Sequence, residues 1–139
     1  MIAERDPTFN KGSVLFWICG VLAVAVLLVG LFALVAPVPG SASFGVPVRD
    51  AGNTQAIAWA RLMGVRDIGL AVMLFALMAV KAARIAGLML LLVVIIPIVD
   101  CATVIHSTGI TYHVLVHGGS AVLMVIIGTL LVRRTVPAT

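Results

Sequence analysis

Two guanidinium groups and a carboxylate stand close together in Arg61-Leu62-Met63-Gly64-Val65-Arg66-Asp67, within a stretch from Ala56 to Val80 that is otherwise apolar. A second carboxylate, Asp100, and two histidines, His113 and His117, stand in later apolar stretches. Carboxylates and imidazoles held in a dry pocket have perturbed proton affinities and can give or take protons at a lipophilic substrate. Guanidinium groups grip anionic or oxygen-bearing groups with paired N–H bonds. The catalytic candidates are therefore Asp67, Asp100 and His117, and the ligand-binding candidates are Arg61, Arg66, Asp67, Asp100 and His117. The competing reading is a buried ion-pair network that only fixes helix register.

His113 and His117 share one helix face, and Asp100 or His106 would have to supply a third metal ligand. No HExxH or CxxC spacing supports such a site, and no facing pair of mid-membrane histidines supports haem. No metal and no cofactor are expected. His113 instead caps its helix on this reading, and His117 bonds within the bundle. A proton or ion path needs polar groups through the whole membrane, and the halves of the spans toward Lys81 and Arg133 lack them.

Composition names the elements that must hold these groups. Hydrophobic residues make up 63% and charged ones 10%, against about 45–50% and about 25% in soluble domains. Mean hydropathy is +1.26, which excludes an ordinary soluble domain. The net charge of +4 does not signal nucleic acid, because the positive residues gather at segment ends rather than along a basic face with interleaved aromatics. Cys19 and Cys101 fall near opposite membrane faces, beyond the roughly 7 Å Cα limit for a disulfide, and read as small packing residues.

Four spans are expected at 13–35, 56–80, 85–105 and 113–132, within one integral membrane domain covering 1–139. Each approaches or exceeds the roughly 20 residues that cross a hydrocarbon core. The first is too long for a signal peptide's apolar region of about 7–15 residues, so Gly40-Ser41-Ala42 reads as loop rather than cleavage site. Residues 1–12 read as a short solvated or interfacial arm. Residues 36–55 hold Pro37, Pro39 and Pro47 and form the long loop, either a lid or binding element, with Phe44, Val46 and Val48 able to dip into the membrane interface, or a plain surface loop. Lys81 to Arg84 make a tight basic turn, and His106 to Tyr112 a short polar one. The fold expected is all-α: a four-helix transmembrane bundle in up-down-up-down order.

The second span carries its own difficulty. Each charge at a helix centre costs roughly +2.5 to +3.5 kcal/mol on insertion scales, so three cost about +8, while the span's Leu, Ile, Val and Phe return about −5. The span is stable if Arg61 reaches a headgroup region and Arg66 and Asp67 find partners inside a bundle. Arg66 and Asp67 are sequence neighbours whose side chains diverge on a helix, so Asp100 is the expected partner of Arg66. Asp67, on a small-residue stripe with Ala60, Gly64 and Ala71, is expected to meet His117 or Arg61. Pro97 removes the donor for the Val93 carbonyl and predicts a kink in the third span.

Arg5, Lys11, Lys81, Arg84, Arg133 and Arg134 lie on one side of this topology and Arg49 on the other, which places both termini in the cytoplasm. The polar groups then fall in the outer half of the bundle, in a pocket open to the outer side, and the membrane is read as the plasma (inner) membrane. Gly20 and Gly30 on the first span offer a small-residue face for a homo-oligomer or a membrane-protein partner.

Phe44-Gly45-Val46-Pro47, Arg61-x-x-Gly64-x-Arg66-Asp67, Asp100 and His117-Gly118 occur in that order. Together they resemble the small four-span DoxX-like membrane proteins, in a bacterial and fungal branch with a Gly-x-Arg-Asp motif, over residues 14–132. The resemblance implies a four-helix bundle whose matching polar positions are Arg66, Asp67, Asp100 and His117. DoxX-type proteins are associated with quinone-linked sulfur oxidation or with redox partners in the membrane. This chain has no CxxC, so that activity is not carried over. The expected function is binding of a small lipophilic molecule in the bilayer, with acid–base turnover as an extension. The alternative is a noncatalytic accessory or scaffold subunit of a membrane redox complex.

Overall fold

The computed structural model describes residues 6–50 and 52–133. Arg5 and Arg134, used above for orientation, lie outside the described residues. The described residues form six helices and no strand: α1 (Val14–Val35), α2 (Pro37–Ser43), α3 (Thr54–Ala79), α4 (Ala83–Val93), α5 (Ile95–Thr108) and α6 (Tyr112–Val132). The stretches Val14–Val35, Thr54–Ala79, Ala83–Thr108 and Tyr112–Val132 are each long and apolar enough to cross a membrane. Their outer faces carry large exposed apolar side chains such as Leu28, Val72, Leu92 and Leu115, a surface suited to lipid and not to water. Trp17 sits near one end of the bundle, and Trp59 and Tyr112 near the other, as amphipathic rings do at headgroup level.

Local chemistry sets the helix ends. Pro37 cannot donate to α1 and restricts Ala36, so α1 stops there; the same proline opens α2 at its first position. The expected loop at 36–55 thus contains a short helix. Asn53 caps α3 by accepting from the Ala56 N–H at 3.0 Å. Pro97 lacks the N–H that the Val93 carbonyl would use, and the third span breaks at Val94 into α4 and α5. The helix is thus interrupted three residues before Pro97.

Packing divides the bundle into two hairpins. Helix α1 packs along α3, and α4 and α5 pack along α6, while backbones of the two hairpins approach mainly where α3 turns into α4. Glycines allow the close crossings. A Cβ on Gly64 would lie 2.6 Å from the Gly30 carbonyl oxygen, and one on Gly87 would lie 2.7 Å from that of Gly128. The Gly20/Gly30 face expected to serve a partner is thus occupied within the chain, since Gly20 also lies against Met78.

The end bearing Lys81, here the basic end, is closed by apolar packing. Cys19, Leu74, Met78, Ala86, Leu90, Ile127 and Leu131 form one buried cluster joined by Phe9. Residues 6–13, just before α1, are therefore not simply a solvated or interfacial arm. Phe9 is 0% exposed and meets Phe16 edge-on, and the Asp6 N–H donates to the Lys81 carbonyl at 3.0 Å. The opposite, loop end carries residues 44–50, Gly52, Asn53 and the turn at Gly109.

Gly64→Ala is expected to destabilise the bundle by about 1–3 kcal/mol, because the added methyl meets backbone that cannot yield. Gly69→Ala, where no atom lies within 4 Å of the new Cβ, is expected to be neutral or stabilising by up to about 1 kcal/mol. Thermal unfolding in detergent compares them; equal losses would dismiss the crossing.

Candidate functional site

Three of the five candidates converge through one guanidinium. Arg66 Nε lies 2.9 Å from Asp67 Oδ1, and Nη1 and Nη2 lie 3.4 and 3.2 Å from the two oxygens of Asp100. The Arg66–Asp100 pair joins α3 of one hairpin to α5 of the other, as the sequence predicts. The Arg66–Asp67 bond corrects the expectation that these neighbours diverge too far to pair. Their Cβ atoms do diverge, but the arginine side chain is long enough to fold its Nε back onto the carboxylate. Burial is high at both acids: their side chains are 9% exposed for Asp67 and 18% for Asp100. Asp67 Oδ2 accepts no hydrogen bond from any described residue.

His117 stands beside this cluster but does not bond to Asp67. Its Nε2 lies 3.0 Å from the Phe44 carbonyl oxygen, and its ring stacks on the Phe44 ring with centroids 6.1 Å apart. A carbonyl can only accept, so Nε2 carries the hydrogen, and in the neutral ring Nδ1 is left as an acceptor. Phe44 is 8% exposed. It turns inward onto α6 instead of dipping into the membrane interface. Gly45 makes this possible: its φ is +88°, and a Cβ there would lie 2.7 Å from the His113 side chain. Thr108 Oγ1 then donates to the Gly45 carbonyl at 3.1 Å, fastening the loop to α5.

His113 does not cap α6. Its Nδ1 lies 3.4 Å from Thr111 Oγ1, and its buried Nε2 has no partner among the described residues. Arg61 is exposed and lies outside the cluster. No three of the described His, Cys, Asp and Glu residues are grouped to hold a metal ion.

Arg66, Asp67, Asp100 and His117 line a cavity of about 270 Å³ between the two hairpins. Phe44 lies over its loop end. Beyond the polar cluster its walls are apolar, with Leu22 and Val26 of α1, Leu74 of α3, Met89 of α4 and Met124 of α6. From Arg66 to Leu74 the lining of α3 runs about 12 Å at 1.5 Å per residue. Pro97 also lines the cavity, at the break between α4 and α5. Phe44 is the site residue that sequence reasoning missed as a contact of the cluster. Its signal is an aromatic residue followed by a glycine in a loop.

A family model described as Domain of unknown function (DUF4267) matches residues 23–131. That match includes every residue of the polar cluster and all the cavity walls but Leu22. No curated protein and no solved structure gives a significant match.

Charge counting orders the effects of mutation. Arg66→Gln leaves two buried carboxylates without a cation, a loss of about 3–5 kcal/mol for a broken buried pair. Asp100→Asn leaves Arg66 balanced by Asp67 and loses chiefly a bond between hairpins, about 1 kcal/mol. Thermal unfolding of the two variants checks this order, and an equal or larger loss for Asp100→Asn reverses it.

Proposed function

We propose that this chain, which belongs to the DUF4267 family, binds a small lipophilic molecule within the bilayer. The single observation carrying this reading is a cavity that is apolar along most of its length and ends in paired acidic and basic side chains. Such a shape matches an amphiphile, with its apolar body between the hairpins and its polar group at Arg66, Asp67, Asp100 and His117. A purely structural ion-pair network has no need of empty space beside it.

Turnover is an extension of the same reading. His117 Nδ1 would serve as the base, Asp67 or Asp100 as a second acid–base group, and the remaining N–H groups of Arg66 would orient oxygen-bearing parts of the substrate. The rival reading, a noncatalytic accessory subunit, draws on the pairing of Arg66 with both acids, which locks the hairpins together. The order of the motif residues keeps the DoxX-like resemblance as part of this proposal.

Placement follows from charge. Lys11, Lys81, Arg84 and Arg133 gather at the basic end and Arg49 at the loop end. We therefore assign the basic end and both termini to the cytoplasm and the polar end of the cavity to the outer half of a plasma membrane.

Ser120 lines the cavity, and its hydroxyl donates to the Val116 carbonyl of its own helix. Ser120→Phe would fill the space without breaking a bond between helices. Native mass spectrometry of the chain in nanodiscs is expected to detect a bound lipophilic species in the wild type and none in Ser120→Phe. Absence of any such species from the wild type, with no thermal shift on adding lipophiles, favours the accessory subunit.

A further inference from the structure

We infer that the head group taken by this cavity is a cation, a small ammonium carried on an alkyl or similarly apolar body. The inference rests on the lipophile-binding reading and specifies its ligand class.

The first ground is charge. Two carboxylates, Asp67 and Asp100, share one guanidinium, and Arg66 spends Nε and both Nη atoms on them. No second cationic side chain lines the cavity among the described residues, apart from what His117 can carry. Arg61 projects outside, Arg49 sits in the loop beside Asp50, and Lys11, Lys81, Arg84 and Arg133 lie at the other end of the bundle. With both acids ionised and His117 neutral, the cluster holds one more negative than positive charge. In a low-dielectric wall that excess attracts any cation that can enter and repels an anionic head group.

The second ground is hydrogen bonding. The Asp67 side chain is 9% exposed, lines the cavity, and leaves Oδ2 without a donor among the described residues. His117 Nδ1 is a second acceptor, because the Phe44 carbonyl fixes the hydrogen on Nε2. The Asp100 oxygens each keep a lone pair beyond the bond from Arg66. An ammonium has three N–H donors and no acceptor, which suits this set. An alcohol brings one donor and no charge.

Size limits the body. A cavity of about 270 Å³ with mostly apolar walls suits a short alkyl body. Octylamine, 1-octanol and octanoate have matched chains and differ in head-group charge.

The experiment measures binding of radiolabelled octylamine, 1-octanol and octanoate to the full chain in zwitterionic nanodiscs, with empty nanodiscs subtracted for partition. Octylamine is expected to bind at least about tenfold more tightly than octanol, with octanoate weakest. Asp67→Asn balances the cluster and is expected to reduce the octylamine preference over octanol to about threefold or less. A matched thermal unfolding curve confirms that the variant is folded; if it is not, the three-ligand series on the wild type decides alone. Octanol or octanoate binding as tightly as octylamine overturns the cation and leaves the lipophile reading standing. An unchanged preference in folded Asp67→Asn also overturns it. Binding of none of the three, above empty nanodiscs, overturns both.

Discussion

One guanidinium holding a carboxylate on each side of the bundle is the interaction on which the rest depends. Arg66 bonds Asp67 on its own helix and Asp100 across the gap between hairpins. Without the acids, a guanidinium at this depth would strain the insertion of α3; without the guanidinium, two carboxylates would face one another away from water. Arginine suits the role because its planar fork presents donors along two edges, so Nε serves one acid while both Nη groups serve the other. A lysine ammonium is a point charge and has no such geometry. The cluster thus makes a poor helix insertable and, by the same contacts, sets the spacing of the two halves.

That spacing creates the cavity. Each hairpin is tight because glycines let backbones touch, Gly30 with Gly64 in one and Gly87 with Gly128 in the other. Between hairpins no comparable pair exists among the described residues, and their backbones stay apart beyond the α3–α4 turn. The basic end is sealed by the cluster around Leu74, Leu90 and Leu131, with Phe9 plugged beneath it. At the loop end the hairpins are tied by polar links: Arg66 to Asp100, His117 to the Phe44 carbonyl, and Thr108 to the Gly45 carbonyl. Closure by packing at one end and by tethers at the other leaves space between.

Much of this was legible in the sequence, and the parts that were not share a physical cause. Long, predominantly apolar runs identify the four spans, because hydrocarbon admits few alternatives to helix. Pro97 marks the break between α4 and α5, since the missing N–H is a property of the residue alone. Arg66 and Asp100 could be matched by elimination: a buried charge needs an opposite one, and few were on offer. Arg66 with Asp67 was missed because the rule for helix neighbours describes Cβ directions and not the reach of a long side chain. Phe44 and Phe9 were missed because residues outside the spans carry no periodicity to say which way they face. The Gly30 face was read as free because a small-residue stripe looks the same whether its partner lies within the chain or on another.

The loop end shows how an element outside the spans shapes chemistry within them. Gly45 adopts a backbone conformation disfavoured for other residues and passes against His113 where a side chain would not fit. That passage turns Phe44 inward, so its ring covers the polar end and its carbonyl meets His117. The carbonyl has no proton to give, and the imidazole must commit Nε2 as donor. In the neutral ring Nδ1 is then the nitrogen left as an acceptor. A loop that only capped the bundle would not need its carbonyl aimed at a half-buried ring. Here one peptide group both shields the cavity and sets the hydrogen-bonding sense of a residue inside it.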